Sequence, residues 1–146
     1  MVSIDDIKTE WSKDAIVDQL HLNDEIVKVP LLHAKYLDFL IEFRARRSSI
    51  LKRSNALKFI KRKYYRGELT QFDLREHGWS QYQGLKPSNS EMKDLFEQDS
   101  DLNEFEEKLE YYNTGLNVIE YIMRAIHSRG YELKTLFEYR KFTEGG

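Results

Sequence analysis

Eight apolar residues between positions 102 and 126 recur at alternating intervals of three and four. This spacing is the heptad pattern of a helix that packs along one seam against another helix. A second apolar row joins it from position 111 onward, which widens the apolar arc enough for burial on two sides. A monomeric bundle and an oligomer would both produce this pattern. The seam consists of Leu102, Phe105, Leu109, Tyr112, Leu116, Ile119, Met123 and Ile126.

The tripeptide Ser128-Arg129-Gly130 follows this seam and predicts the end of the helix, because glycine is common just beyond helix ends. We therefore expect a separate last helix over residues 132–142.

A second long helix is predicted over residues 31–66, where neither glycine nor proline occurs. Its apolar seam runs from Tyr36 to Tyr64 at intervals of seven and becomes half polar in its second part. That part of the helix therefore cannot be fully buried. Pro30 either belongs to the first turn of this helix or kinks a longer one, and both alternatives stay open. Gly67 predicts the end of the helix.

Two shorter helices are predicted from capping patterns. Ser3 followed by Asp6 opens a helix that ends at about residue 13 or 14, and Ser88 followed by Glu91 opens another that ends at about residue 98. Between Gly67 and the second of these helices, residues 68–89 contain several helix breakers and are expected to form a loop with one helical turn or none.

Trp79 and Tyr82 lie in this loop. They are candidates for base stacking or partner contact, with core anchoring as the alternative.

The composition favours one domain of the all-α class. The chain has 146 residues, and its 7 Gly and 2 Pro are too few for the turns of an all-β sandwich. It has no cysteine, which excludes disulfides and thiolate metal sites. The sequence has no apolar run of membrane-spanning length and does not begin like a signal peptide, so we expect a soluble, intracellular protein.

The charge is concentrated in one segment. Residues 44–66 carry ten cations and no acid, whereas the rest of the chain has a net charge of −12. Such a cationic stripe attracts polyanions, and the adjacent tyrosines could stack on unpaired bases. The candidate DNA-binding residues are Arg44, Arg46, Arg47, Lys52, Arg53, Lys58, Lys61, Arg62, Lys63, Tyr64, Tyr65 and Arg66.

Three alternatives compete with single-stranded nucleic acid as the partner of this stripe. It could be a solvated helix face whose tyrosines cap the core, a surface for anionic lipid, or a docking site for an acidic protein in a coiled-coil adaptor. The acids between positions 99 and 110 are most simply a solvated helix start, although they could also contact the basic stripe of a neighbouring subunit.

The sequence offers no pattern for catalysis. The four histidines lack zinc-ligand spacing, no glycine-rich phosphate loop occurs, and no nucleophile constellation is visible. We therefore expect a non-enzymatic protein with no cofactor and no metal.

Several motifs resemble the UvsY family of recombination mediators from T-even-type phages. Ser128-Arg129-Gly130-Tyr131 is followed by Lys134, Arg140 and Phe142 at the family's spacings. The tetrapeptides at 90–93 (Ser-Glu-Met-Lys) and 64–67 (Tyr-Tyr-Arg-Gly) also resemble family motifs, as do Leu32, Lys35 and Leu37. The resemblance extends nearly from end to end.

This resemblance implies a helical homo-oligomer, hexameric or heptameric, that binds single-stranded DNA in the cytoplasm of the infected bacterial host. Its implied partners are a single-stranded-DNA-binding protein, which it helps to displace, and a RecA-like recombinase, which it loads. The family's Leu-Lys-Ala-Arg motif carries over to Lys61 directly, whereas Phe59 occupies the position of its lysine and Lys58 matches only with a shift of one residue.

The resemblance further places oligomerisation in the C-terminal part. On that basis the chain is expected to divide into a DNA-binding part, residues 1–98 with the loop 67–89, and an oligomerisation part, residues 99–146, within what could be one continuous unit. The expected interface residues are Tyr112, Leu116, Ile119, Ile122, Met123, Ile126, Leu133, Leu136 and Phe137.

Overall fold

The computed structural model describes residues 2–145, and all regular structure in that range is helical. The all-α prediction is therefore confirmed. The five helices are α1 (Ile4–Asp14), α2 (Leu22–Tyr65), α3 (Gln71–His77), α4 (Asn89–Gln98) and α5 (Ser100–Gly145).

The predicted capping signals open two of these helices. At α1, the Asp6 amide donates to Ser3 Oγ at 3.1 Å and the Ser3 amide donates to Asp6 Oδ2 at 3.0 Å, which completes a capping box. At α4, the Ser88 side chain accepts a hydrogen bond from the Glu91 amide. Each pair satisfies backbone N–H groups that have no partner within the helix.

Helix α2 begins at Leu22 and contains Pro30 in its interior. Of the two alternatives for Pro30, the longer helix is therefore correct. The helix ends at Tyr65, and Gly67 follows with φ of +72°, a conformation that glycine adopts without the steric cost of a side chain.

The prediction for residues 68–89 is wrong in one respect, because residues 71–77 form the two-turn helix α3. Thr70 and Asp73 form its capping box, and Gly78 ends it with φ of +69°. Both signals are local and were present in the sequence.

The predicted helix end at Ser128-Arg129-Gly130 is also wrong, since α5 continues without interruption to Gly145. Gly130 does not adopt a positive φ. An interior glycine costs only about 1 kcal/mol relative to alanine, and the buried neighbours Ile126 and Leu133 hold the helix on either side of it.

The described chain forms two compact units. The first unit comprises the residues up to Arg46 and those from Tyr112 onward, and the second comprises Arg47–Tyr111. In the first unit, α1, α2 and α5 share one core, formed by Ile7, Tyr36, Leu40, Phe43, Ile119, Ile122 and Ile126. In the second unit, the buried apolar residues are Leu74, Met92, Leu102 and Leu109.

The core of the first unit uses the residues that we expected at an oligomer interface. Ile119, Ile122 and Ile126 are buried in it, Leu133 is buried as well, and Tyr112, Leu116 and Met123 pack against it. Leu136 and Phe137 are half-buried. The four buried residues offer no surface to a second subunit, because the chain's own helices already cover them.

No helix within residues 2–145 is long and apolar enough to cross a membrane.

Candidate nucleic-acid interface

Helix α2 and Arg66, the residue directly after it, expose five of the predicted cations in the second unit: Lys52, Arg53, Arg62, Lys63 and Arg66. No ion pair joins any of these five to a carboxylate within residues 2–145. At 100° per residue, all except Arg53 project within an arc of about 100° on the helix surface. These four side chains can therefore face one polyanion together.

Phe59 lies within the same arc and is 59% exposed. The Lys63 ammonium is 4.7 Å from the centroid of its ring, a cation–π distance. In the sequence this residue stands out only as a departure from the family motif. In the structure it places an exposed aromatic ring among the exposed cations.

Other predicted cations are engaged by acids of the chain. Arg44 lies 3.7 Å from Glu120, and Arg46 donates to Glu42 at 2.7 Å. Lys58 lies 3.4 Å from Glu106, a member of the acidic run that was expected to be solvated. Arg47 is half-buried. Exposed ion pairs of this kind contribute little to stability, so an incoming phosphate could compete for these cations.

Lys61 differs from its neighbours, because it is only 5% exposed. Its Nζ lies 3.0 Å from Asp99 Oδ2 and 2.9 Å from Asp101 Oδ2, and it sits 4.2 Å from the centroid of the Trp79 ring. The prediction that Lys61 contacts DNA is therefore not supported by this geometry. The acids at positions 99 and 101 are likewise bound to the basic helix of their own chain.

Tyr64 and Tyr65 also have partners within the protein. The Tyr65 hydroxyl donates to Asp99 Oδ2 at 2.6 Å, and the Tyr64 hydroxyl donates to the Ser80 carbonyl at 2.8 Å. Their rings pack at centroid distances of 5.0 to 5.9 Å against Trp79 and Tyr82. Because both tyrosines are half-buried in this cluster, they anchor the segment after α3. Base stacking on them would require the cluster to open.

Burial and charge shift the pKa values of this cluster. Burial alone would lower the pKa of Lys61, but hydrogen bonds to Asp101 and Asp99 and their charges raise it above its ordinary value. Burial would raise the pKa of Asp99, yet the bonds from Tyr65, the Leu102 amide and Lys61 lower it. Burial and the bond to Asp99 raise the pKa of Tyr65. All three groups therefore keep their neutral-pH protonation states over a widened pH range.

Two residues of α4 lie beside the exposed cations and were not predicted as site residues. Phe96 packs under Arg62, whose guanidinium carbon is 5.5 Å from the ring centroid. Lys93, Phe96 and Arg62 line one cleft in the second unit. Lys93 and Phe96 are three residues apart in α4 and therefore lie on one face of that helix, a pattern that is visible in the sequence. That this face meets α2 depends on the tertiary structure.

Residues 2–145 contain no group of three histidines or carboxylates close enough together to hold a metal ion. The candidate interface consists of cations and aromatic rings. These are groups that bind phosphates and bases.

Comparison with known proteins identifies similar sequences and folds. The family model described as "Recombination, repair and ssDNA binding protein UvsY" matches residues 10–146. The "Recombination protein uvsY" of Enterobacteria phage T4 is 25% identical over 142 residues, which cover 97% of this chain and 98% of that protein.

Two crystal structures of the bacteriophage T4 recombination mediator protein UvsY share the fold. The lattice type II structure has a TM-score of 0.84 at 23% identity and covers 99% of this chain and 100% of that chain. The lattice type IV structure has a TM-score of 0.81 at 21% identity, with coverages of 97% and 99%.

Proposed function

This chain belongs to the UvsY family of recombination, repair and single-stranded-DNA-binding proteins, and on that premise we propose how it acts as a recombination mediator. It binds single-stranded DNA through the exposed cations of α2. It then loads a RecA-like recombinase onto strands that a single-stranded-DNA-binding protein had covered, in the cytoplasm of the infected host. The role is non-enzymatic, since binding energy alone drives the exchange.

The observation that carries this proposal is the cationic face of α2. Lys52, Arg62 and Lys63 of α2 and Arg66 directly after it are exposed and project to the same side as the exposed ring of Phe59. Cations that replace condensed counterions bind any DNA sequence, and an exposed aromatic ring adds base stacking without reading sequence. A mediator needs this combination because it must act on strands of every sequence.

A homo-oligomer of six or seven subunits would multiply this face along one strand. Several weak sites on one strand give an avidity that a single subunit lacks. The exposed aromatic residues Tyr131, Tyr139 and Phe142 of α5 support a subunit contact near the C-terminus, in place of the residues that are buried within the chain. Sedimentation of the purified protein measures the number of subunits.

The test is the salt dependence of binding to fluorescent oligo(dT). We expect the double variant Lys52→Gln/Lys63→Gln to bind more weakly, with the slope of log K against log salt reduced by about 0.7 for each phosphate that the variant no longer neutralises. The matched control is Lys8→Gln/Lys13→Gln, which makes the same charge change at two exposed positions of α1. It should retain the affinity and slope of the wild type.

Wild-type affinity and slope in the α2 variant would show that DNA binds elsewhere on the protein. A wild-type protein that ignores oligo(dT) at low salt would instead favour the adaptor alternative, in which the cations bind an acidic protein.

A further inference from the structure

The second unit contains a cleft of about 650 Å³ beside the cationic face of α2. Met92 and Phe96 of α4 and Leu102 of α5 supply apolar surface, and Met92 and Leu102 are buried. Its volume falls within the range of roughly 300 to 1,000 Å³ that is usual for small-ligand sites. The cleft is therefore large enough for one nucleotide.

Cations and amides complete the lining of this cleft. Lys58 and Arg62 come from α2, Arg66 follows that helix, and Lys93 comes from α4. Two acids, Glu97 and Glu106, also line the cleft. Glu106 is already paired with Lys58 at 3.4 Å, so the other three cations face a single remaining acid. The lining thus carries a net positive charge, which suits a phosphate group.

The aromatic ring of this cleft differs from the tyrosine pair. Phe96 is half-buried, with the Arg62 guanidinium 5.5 Å from its ring centroid. Unlike the two tyrosines, it has no hydroxyl group that a hydrogen bond could hold in place. A ring and a guanidinium plane are the two surfaces on which unpaired bases stack. The Asn89 and Asn103 amides in the lining can donate to and accept from base edges.

We propose that this cleft holds one nucleotide of the bound single strand, with its base against Phe96 and its phosphate between Arg62, Arg66 and Lys93. This inference rests on the proposed function and extends the DNA site from α2 onto α4. The cationic face of α2 binds the DNA backbone on the outside of the helix, and the cleft binds one base that is turned away from its neighbours in the strand. Charge complementarity and the aromatic lining select a nucleotide as the occupant.

The test compares oligo(dT) with an oligonucleotide of the same length that contains only abasic sites. Phe96→Leu keeps an apolar side chain but removes the ring, so it should weaken oligo(dT) binding at least about fivefold and leave abasic binding unchanged. Phe72→Leu is the matched control, because Phe72 is an exposed aromatic residue of the same unit outside the cleft. It should bind both oligonucleotides like the wild type.

Lys93 provides a second, independent readout. Lys93→Gln should weaken binding of both oligonucleotides and reduce the salt slope, whereas the same change at the exposed Lys86 should not. Lys93 is exposed, so its replacement should leave the fold intact.

Two further outcomes separate this proposal from the proposed function. Normal oligo(dT) binding by Phe96→Leu and Lys93→Gln, together with loss of binding by Lys52→Gln/Lys63→Gln, would overturn the cleft proposal and leave the α2 face as the DNA site. Failure of the wild-type protein to bind either oligonucleotide would overturn both.

Discussion

Lys61 Nζ lies 3.0 Å from Asp99 Oδ2, and the same oxygen accepts a hydrogen bond from the Tyr65 hydroxyl at 2.6 Å. The other oxygen of Asp99 accepts from the Leu102 amide at 3.0 Å, at the start of α5. One buried carboxylate therefore joins α2 to the first turn of α5. The neighbouring Arg62 is exposed, so adjacent cations of one helix lie in different environments.

Replacing Lys61 by alanine should destabilise the protein. The change leaves Asp99 buried without its cation, and loss of one partner from a buried pair costs about 3 kcal/mol at the lower end of the usual range. We expect the lower end because Asp99 keeps its bonds from Tyr65 and Leu102. Lys52→Ala, at an exposed position of the same helix, should change the free energy of unfolding by less than about 0.5 kcal/mol.

Urea denaturation of the two variants measures this difference. Equal stability of Lys61→Ala and Lys52→Ala would mean that the buried ion pair does not hold the second unit together.

Stability should fall at both ends of the pH scale. The pKa of Asp99 is lowered in the folded protein, so its contribution is present above the unfolded value of about 3.9 and is lost as the pH falls through the folded value. The pKa values of Lys61 and Tyr65 are raised. Their contributions are present below the unfolded values of about 10 and are lost as the pH rises through the folded values.

Tyr65→Phe removes one of the two alkaline titrations and should make the decline above about pH 10 less steep. Urea denaturation at a series of pH values measures both limbs. An alkaline limb that is identical in the variant and the wild type would contradict the role of the Tyr65 hydroxyl.

Two glycines of α5 should respond to alanine in opposite ways. A Cβ at Gly115 would collide with the ring of Phe43, which is fully buried. Gly115→Ala should therefore lower the free energy of unfolding by about 1 to 3 kcal/mol. At Gly130 the nearest atom to an added Cβ is Val29 Cγ1 at 3.6 Å, an ordinary contact. Gly130→Ala should raise stability by up to about 1 kcal/mol, because alanine is the better helix former.

Thermal and urea denaturation of both glycine variants test this contrast. Because both residues lie in the same helix, propensity alone predicts stabilisation at both positions. A stabilised Gly115→Ala variant would show that Phe43 moves aside without cost.

Local signals predicted much of the secondary structure. The residue pairs at Ser3 and Ser88 act within one helical turn, so their effect depends little on the rest of the chain. The same signal at Thr70 opens α3, where the helix breakers of residues 68–89 had predicted a loop. Gly130 predicted a helix end that does not occur. Packing of α5 on both sides of this glycine outweighs its weak preference against the helical conformation.

The candidate site was predictable in composition but not in detail. The cationic character of α2 follows from sequence, whereas the burial of Lys61 depends on acids that another helix brings to it. Phe96 reaches the site only because α4 packs beside α2. The sequence left open whether the tyrosine pair stacks on bases or caps the core, and in the structure the two rings pack against Trp79 and Tyr82.

The sequence by itself determined the all-α class, the family and the concentration of positive charge on one helix, because composition, motifs and periodicity are properties of the chain. Only the tertiary structure decided which cations remain exposed and which helices bury the apolar stripe of α5. Both depend on contacts between residues that are distant along the chain. Ile119 and Ile126 are covered by helices of their own chain, and Lys61 by the segment around Asp99.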